Sequence, residues 1–265
     1  MLSTAIHLPL PPRVALAGDP HGNLVSVEHA ITAARRAGLT DVIFLGDCWF
    51  YTTDRELVKI DRIAARHDKP VRVWFYRGNH DDTDFLGDRL DTPGVYPLSK
   101  SVTFLSDGTR LGIGKSVAVI LGGAASTDRF GGWDALRGRN ITPRVEGEDW
   151  WPREVVTDAD ADAVVRGGPA DIMLSHDVPW AGLSAYGMDV RTTHVLAAAE
   201  EAASRDKLSA AAAAVGAELV VHGHLHARVS ARGRDGVRYE ALNRDRLPGS
   251  VVLLDGDTRK IEELV

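Results

Sequence analysis

The sequence predicts an α/β protein with mixed β-sheets. Six short apolar runs each end in a polar or glycine-containing cluster. Helical patterns lie between several of them, and this β-loop-α-β alternation marks layered α/β folds. Two further stretches read as antiparallel hairpins, which makes the sheets mixed rather than purely parallel.

In chain order, Val14-Ala15-Leu16-Ala17 leads into Gly18-Asp19-Pro20-His21-Gly22-Asn23. A continuous apolar run bounded by glycine and aspartate reads as a buried strand. Leu24 to Ala37 has helical spacing and stops at Gly38, a common C-terminal residue. Val42-Ile43-Phe44-Leu45 is the second strand run and ends in Gly46-Asp47. Asp54 to His67 is the second helix, stopped ahead of Pro70. Val71 to Tyr76 then leads into Arg77-Gly78-Asn79-His80-Asp81-Asp82. The stretch VTFLSDGTRLGI, residues 102 to 113, reads as a hairpin turning at Asp107-Gly108.

Val117 to Leu121 leads into Gly122-Gly123. Residues 126 to 160, rich in glycine, tryptophan and charge, read as a long surface insertion. Ile172-Met173-Leu174 precedes Ser175-His176-Asp177. Thr192 to Val215 is an alanine-rich third helix closed by Gly216. Leu219-Val220-Val221 runs into His222-Gly223-His224-Leu225-His226. SARGRDGVRYEAL reads as the second hairpin, and VVLL as a last strand. With no linker and no repeat, residues 1–265 read as a single domain. Its embellishments are the insertion at about 126–160 and the C-terminal β-hairpin and strand at about 228–265.

Composition narrows the function classes. Hydrophobic residues make up 44% of the 265 and charged residues 26%, the balance of an ordinary globular protein. A formal charge of -6 disfavours broad charge-driven nucleic-acid binding, though it leaves a local basic groove possible. Cys48 is the only cysteine, so no intrachain disulfide forms and a reducing compartment is expected. No run approaches the roughly 18 apolar residues of a membrane span. The N-terminal residues lack the charge and apolar core of a signal peptide. A cytoplasmic location is the expectation.

Asp19, His21, Asp47, Asn79, His80, His176, His224 and His226 all follow strand runs. Side chains just past parallel strands converge on one edge of a sheet, where open α/β folds bind ligands. A mixture of carboxylate, imidazole and amide suits Mn, Fe, Zn, Co or Ni and is poor for calcium, which takes oxygen ligands. With no cysteine among the candidates, a closed structural zinc site is not expected.

Asp19-x-His21, Gly46-Asp47, Gly78-Asn79-His80-Asp81, a lone His176 and Gly223-His224-x-His226 resemble the five ordered motifs of the calcineurin-like metallophosphoesterases. The resemblance implies a four-layer α-β-β-α sandwich with two mixed sheets flanked by helices. It implies two transition-metal ions: Asp19, His21 and His226 on one, Asn79, His176 and His224 on the other, and Asp47 bridging them. It also implies hydrolysis of a phosphoester by a hydroxide between the ions, with His80 protonating the leaving alcohol. Asp47, Asn79 and His80 are thus the expected catalytic residues.

Other positions keep two readings. Asn23 and His222 are candidates for contact with substrate, or else a turn former and a packed residue. Asp81 is expected to orient His80 or a ligand imidazole. Cys48 reads as a small buried hydrophobe. Trp49-Phe50-Tyr51 either stack on a nucleobase or cap the core. The arginines from Arg228 to Arg246 read mainly as a solvated hairpin face. His7, His29, His67 and His194 read as surface residues.

The resemblance also bears on the branch. The family's serine/threonine phosphatases carry GDxxDRG and GNHE and lack the second histidine of GHxH. Here Phe50 stands in place of the second Asp of GDxxDRG, three residues after Asp47, Asp81 stands in place of the Glu, and His226 is present. These departures imply a phosphodiesterase-like branch acting on a phosphoester small molecule or nucleotide. A phosphomonoesterase or protein phosphatase is the alternative, and a non-catalytic scaffold the least favoured.

Overall fold

The structure is a computed structural model that describes residues 7–66, 69–134, 139–188 and 194–264. Its strands are β1 His7–Leu10, β2 Arg13–Ala17, β3 Asp41–Phe44, β4 Arg72–Phe75, β5 Val95–Pro97, β6 Val102–Leu105, β7 Arg110–Ile113 and β8 Ser116–Leu121. They continue with β9 Gly132–Asp134, β10 Arg139–Ile141, β11 Ile172–Ser175, β12 Leu219–His222, β13 Val229–Arg232, β14 Arg238–Ala241, β15 Val251–Asp255 and β16 Lys260–Glu263. The helices are α1 Leu24–Arg36, α2 Asp54–Ala64, α3 Thr83–Leu86, α4 Asp158–Arg166, α5 Trp180–Ala185 and α6 Val195–Val215.

Two seven-stranded sheets form, in the orders β16-β15-β2-β3-β4-β6-β5 and β1-β7-β8-β11-β12-β14-β13. The steps from β2 to β3, β4 and β6 are parallel, as are those from β8 to β11, β12 and β14. Antiparallel strands close most of the edges, so both sheets are mixed.

Side-chain alternation explains the layers, because successive residues of a strand face opposite ways. Val14, Leu16, Ile43 and Trp74 of the first sheet pack with Ile120, Ile172, Leu174 and Val221 of the second. The alternate residues Ala15, Ala17, Val42 and Phe44 pack instead against Val27 and Ile31 of α1 and Ile60 of α2. On the far side, Met173 and Val220 meet Val164 of α4 and Leu208 and Ala212 of α6. The result is the four-layer α-β-β-α sandwich.

Two readings of the sequence need correction. Residues 102 to 113 are not a hairpin. β6 pairs with β4 in one sheet, while β7 pairs with β8 in the other. The Asp107-Gly108 segment carries the chain between the sheets. Asp107 is buried there, accepting from Gly122 N at 2.5 Å and Arg77 Nε at 3.0 Å. Nor is the segment from 126 to 160 only a surface feature: Ser126, Trp150, Trp151 and Glu154 are buried.

The helices largely match their expected spans. The expected C-terminal residue His67 of the second helix, and Thr192 of the third, lie outside the described residues. Phe50 and Tyr51 are fully buried and cap the core, while Trp49 remains 39% exposed. Cys48 is buried, as a small hydrophobe would be.

Candidate metal centre and active site

β2, β3 and β4 run side by side in parallel, and so do β11 and β12. Their C-terminal ends carry the motif residues, so Asp19, Asp47, Asn79, His80, His176, His224 and His226 arrive on one edge of the sandwich. Backbone bonds lock the loops together: His21 N to Asp47 O at 2.9 Å, Gly22 N to Cys48 O at 3.0 Å and Gly223 N to His176 O at 3.1 Å.

One donor of each of Asp19, His21, Asp47 and His226 lies within 4.8 Å of the others. His21 Nε2 is 3.0 Å from His226 Nε2, and His226 Nε2 is 3.2 Å from Asp19 Oδ2. On the other side, His176 Nε2 is 3.0 Å from Asn79 Oδ1 and 3.3 Å from Asp47 Oδ1. The His224 ring packs edge-on to His176 with centroids 5.1 Å apart. Asp47 stands between the two groups, its Oδ2 being 3.8 Å from His21 Nδ1.

The donor set fits a cation. Asp19 Oδ1 and Asp47 Oδ2 are buried without a hydrogen-bond partner, a costly state that a bound cation relieves. Room for the ligand side chains depends on glycine. A Cβ on Gly78 would lie 2.2 Å from Asp47 Oδ1, and one on Gly223 would lie 2.1 Å from Asp19 Oδ1. His21, Asp47, Trp49, His224 and His226 have φ between 45° and 60°. They are five of the seven non-glycine residues with positive φ among the described residues. Left-handed backbone at non-glycine residues is strained, and such strain concentrates at functional sites.

Electrostatics tie the site together. Burial alone would raise Asp47, but the imidazoles of His176 and His80 hold it well below the usual carboxylate range. Burial also opposes a charge on His176, yet the Asp47 carboxylate outweighs it and pushes the imidazole up to about 10. His176 Nδ1 lies 2.7 Å from the Leu45 carbonyl, which accepts from its N–H and leaves Nε2 facing the donor oxygens. His224 is held down at about 4, chiefly by burial.

Several expectations change. Asp81 orients no imidazole: its Oδ1 accepts from Cys48 N at 2.9 Å and Trp49 N at 3.0 Å, and its Oδ2 from Gly78 N at 2.7 Å. It staples the loops after β3 and β4. His222 is fully buried, with Nδ1 at 2.9 Å from Gly223 O and Nε2 at 2.9 Å from Tyr186 O–H. Both ring nitrogens are committed, so His222 is a packed residue that presents nothing to substrate. Asn23 caps α1, its side-chain oxygen accepting from Val25 N at 3.0 Å, which is the turn-forming reading.

His80 is at the site, and its backbone N–H donates to Asp47 Oδ1 at 2.9 Å. Burial and then the nearby Arg144 hold its imidazole down at about 4, against the pull of Asp47. Arg144 Nη2 lies 3.1 Å from His80 Nε2. Arg144 and Ser126, which bonds Asn79, were not singled out from the sequence. Both lie in the long insertion, where no periodicity marks them. Arg205, whose Nη2 is 3.1 Å from Asp177 Oδ1, was also missed. It lies inside the alanine-rich α6 and is fully buried.

A layered α/β sandwich with carboxylates and imidazoles gathered at its strand ends is the frame of a metal-dependent hydrolase. The chain belongs to the calcineurin-like phosphoesterases, whose family model matches residues 12–228. It is therefore a hydrolase acting on phosphoesters. Among solved structures, the protein TT1561 of Thermus thermophilus is 13% identical at a TM-score of 0.55, over 95% of this chain and 97% of that one. That likeness is one of fold. An archaeal phosphodiesterase aligns over 96% of this chain and 99% of its own, at 12% identity and a looser TM-score of 0.44. No curated protein matches the chain. No helix among the described residues is long and apolar enough to cross a membrane.

Proposed function

We propose that the protein is a dinuclear-metal-dependent phosphoesterase that hydrolyses phosphodiester or nucleotide-type phosphoester bonds. The position of Asp47 carries this reading. One of its oxygens faces His176 and the other faces His21. Asp19, His21 and His226 would hold one ion, and Asn79, His176 and His224 the other, with Asp47 shared. Mn, Fe, Zn, Co and Ni all suit such a set. When bound, the ions would supply charge to polarise the phosphoryl oxygens and would make a water acidic enough to act as nucleophile near neutral pH.

The chain's own residues orient and exclude. Glycines at 78 and 223 let the carboxylates approach, and the His80 backbone N–H fixes the rotamer of Asp47. Wet, mobile alternatives are removed because Asp19, Asp47, Asn79 and His176 are buried. We place His80 on the side of the leaving oxygen. Its Nε2 accepts from Arg144 and is unprotonated in this arrangement. To act as an acid, His80 must exchange the Arg144 bond for a proton at Nε2 taken from water, and that proton then passes to the leaving oxygen. Aryl phosphodiesters, whose leaving groups need little protonation, depend least on this step, and nucleotide-type esters, which expel a sugar alkoxide, depend on it most. Phe50, Asp81 and His226 stand where the protein-phosphatase pattern differs and support the same branch.

The test compares bis(p-nitrophenyl) phosphate with p-nitrophenyl phosphate on protein loaded with each of the five metals. Faster turnover of the diester is expected. Hydrolysis of neither ester with any metal would overturn the proposal.

A further inference from the structure

A hydrogen-bond relay runs from the insertion into the candidate centre. Ser126 is 1% exposed. Its Oγ accepts from Asn79 Nδ2 at 2.9 Å and lies 3.2 Å from Arg144 Nη1. A hydroxyl oxygen has two lone pairs, so these two donors fill it. With Nδ2 held there, the other end of the Asn79 amide, Oδ1, is turned to His176 Nε2 at 3.0 Å. The amide therefore shows an oxygen, and not an NH2, to the donor cluster.

The same arginine reaches the neighbouring motif residue. Arg144 Nη2 is 3.1 Å from His80 Nε2 and 2.8 Å from Asp128 Oδ1. A guanidinium has no lone pair to offer, so His80 Nε2 is the acceptor and the ring takes one orientation. No other Arg or Lys side chain is hydrogen-bonded to a motif side chain among the described residues. The segment around Arg144 is itself anchored. Arg144 Nη1 reaches Asp149 O at 3.3 Å, Arg129 lies 3.5 Å over the buried Trp150 ring, and the Glu154 carbonyl accepts from Ala124 N and Arg77 Nη1, both at 3.0 Å.

We propose that Ser126 and Arg144 are positioning residues of the candidate centre, and that through them the insertion sets the amide face of Asn79 and the ring face of His80. This rests on the two-ion reading above and deepens it. A side-chain amide flips by half a turn at little cost unless its two ends are told apart by their partners. Ser126 tells them apart. Loss of a group that orients a metal ligand typically weakens metal binding or activity about 10–100-fold. Asp19, His21 and His226 have no hydrogen bond to Ser126 or Arg144, so the ion they would hold has no ligand bonded directly to the relay.

The experiment titrates the metal-free chain and its S126A and S126T variants with Mn2+ by calorimetry. In parallel, 15N spectra of the His80 imidazole are recorded for the parent chain and R144Q. The parent is expected to bind two ions. S126A should keep one at the parent affinity and lose at least about tenfold on the other, while S126T, which retains the hydroxyl, should recover most of it. The parent His80 should show a proton-free Nε2, and R144Q a mixture of tautomers. Two ions bound to S126A as tightly as to the parent would overturn the Ser126 role, and an unchanged His80 spectrum in R144Q the Arg144 role. A parent chain that binds fewer than two ions sinks the dinuclear reading and with it the claim about the second ion. The His80 spectra still decide Arg144 in that case, and also where S126A fails to fold.

Discussion

Asp47 Oδ1 lies 3.3 Å from His176 Nε2, with both side chains sealed from solvent. The two residues follow strands of different sheets, β3 and β11, so this contact clasps the two halves of the sandwich at the candidate centre. It is also where the charge of the site is concentrated. Replacing Asp47 with asparagine keeps the shape but removes the anion shared by both sides. D47N should lose at least about 100-fold in turnover and bind both ions more weakly, since ligand charge sets the attraction. Elemental analysis beside a diester assay checks this, and near-normal turnover would contradict the bridging role.

Gly78 makes a second, purely steric prediction. A methyl group there meets Asp47 Oδ1 at 2.2 Å, Asp47 N at 2.5 Å and His176 Cε1 at 2.8 Å. None of these is the loose end of a flexible chain. G78A should destabilise the protein by roughly 1–3 kcal/mol, as overpacking commonly does, and should reduce metal affinity at least about tenfold. Thermal melts and metal titrations read the two effects separately. A G78A chain with parent metal affinity would show that Asp47 is free to move.

Glu154 gives a dependence on pH. It is fully buried and its oxygens have no hydrogen-bond donor of good geometry, although Ser126 and Arg144 lie close enough to favour its charge. Burial dominates and pushes it up to about 8. At low pH the carboxyl is neutral in both folded and unfolded chains and costs nothing. As pH rises past the ordinary glutamate value, the unfolded chain ionises while the folded one stays protonated, so stability is lost progressively up to about pH 8. E154Q mimics the neutral form and should be more stable than the parent at pH 8, by on the order of 4 kcal/mol, with the gap closing toward pH 4. A gap that does not change with pH would mean that Glu154 is ionised in the fold.

His80 is tested by leaving groups. H80A should slow esters of poor leaving groups by about 10²–10⁴, the usual contribution of a proton-transfer catalyst, and nitrophenyl esters much less. Equal losses on both kinds of ester would remove His80 from the leaving-oxygen side.

The parts of the fold legible in the sequence are those set by local burial. β2, β3, β4, β11 and β12 are covered on both faces, so each appears as an unbroken apolar run, and the donors stand out because they follow those runs. What failed was pairing. Asp107-Gly108 is a strong local turn signal, but a bond between Asp107 and Arg77, far apart in sequence, draws the segment inward. The neighbouring strands then find partners in different sheets. Ser126 and Arg144 were invisible for a related reason. They reach Asn79 and His80 across 47 and 64 residues from a stretch with no apolar period to place it. Asp81 was seen but misread, because a carboxylate beside a histidine suggests an imidazole partner, whereas the loop folds back to offer three backbone N–H groups.

The most direct test counts ions. Purified protein, stripped and then equilibrated with each candidate metal and freed of excess, is analysed for metal per chain. Two transition ions per chain in the parent, and fewer in D47N, are the predicted result. A parent chain that retains none of Mn, Fe, Zn, Co or Ni would contradict the account at its root.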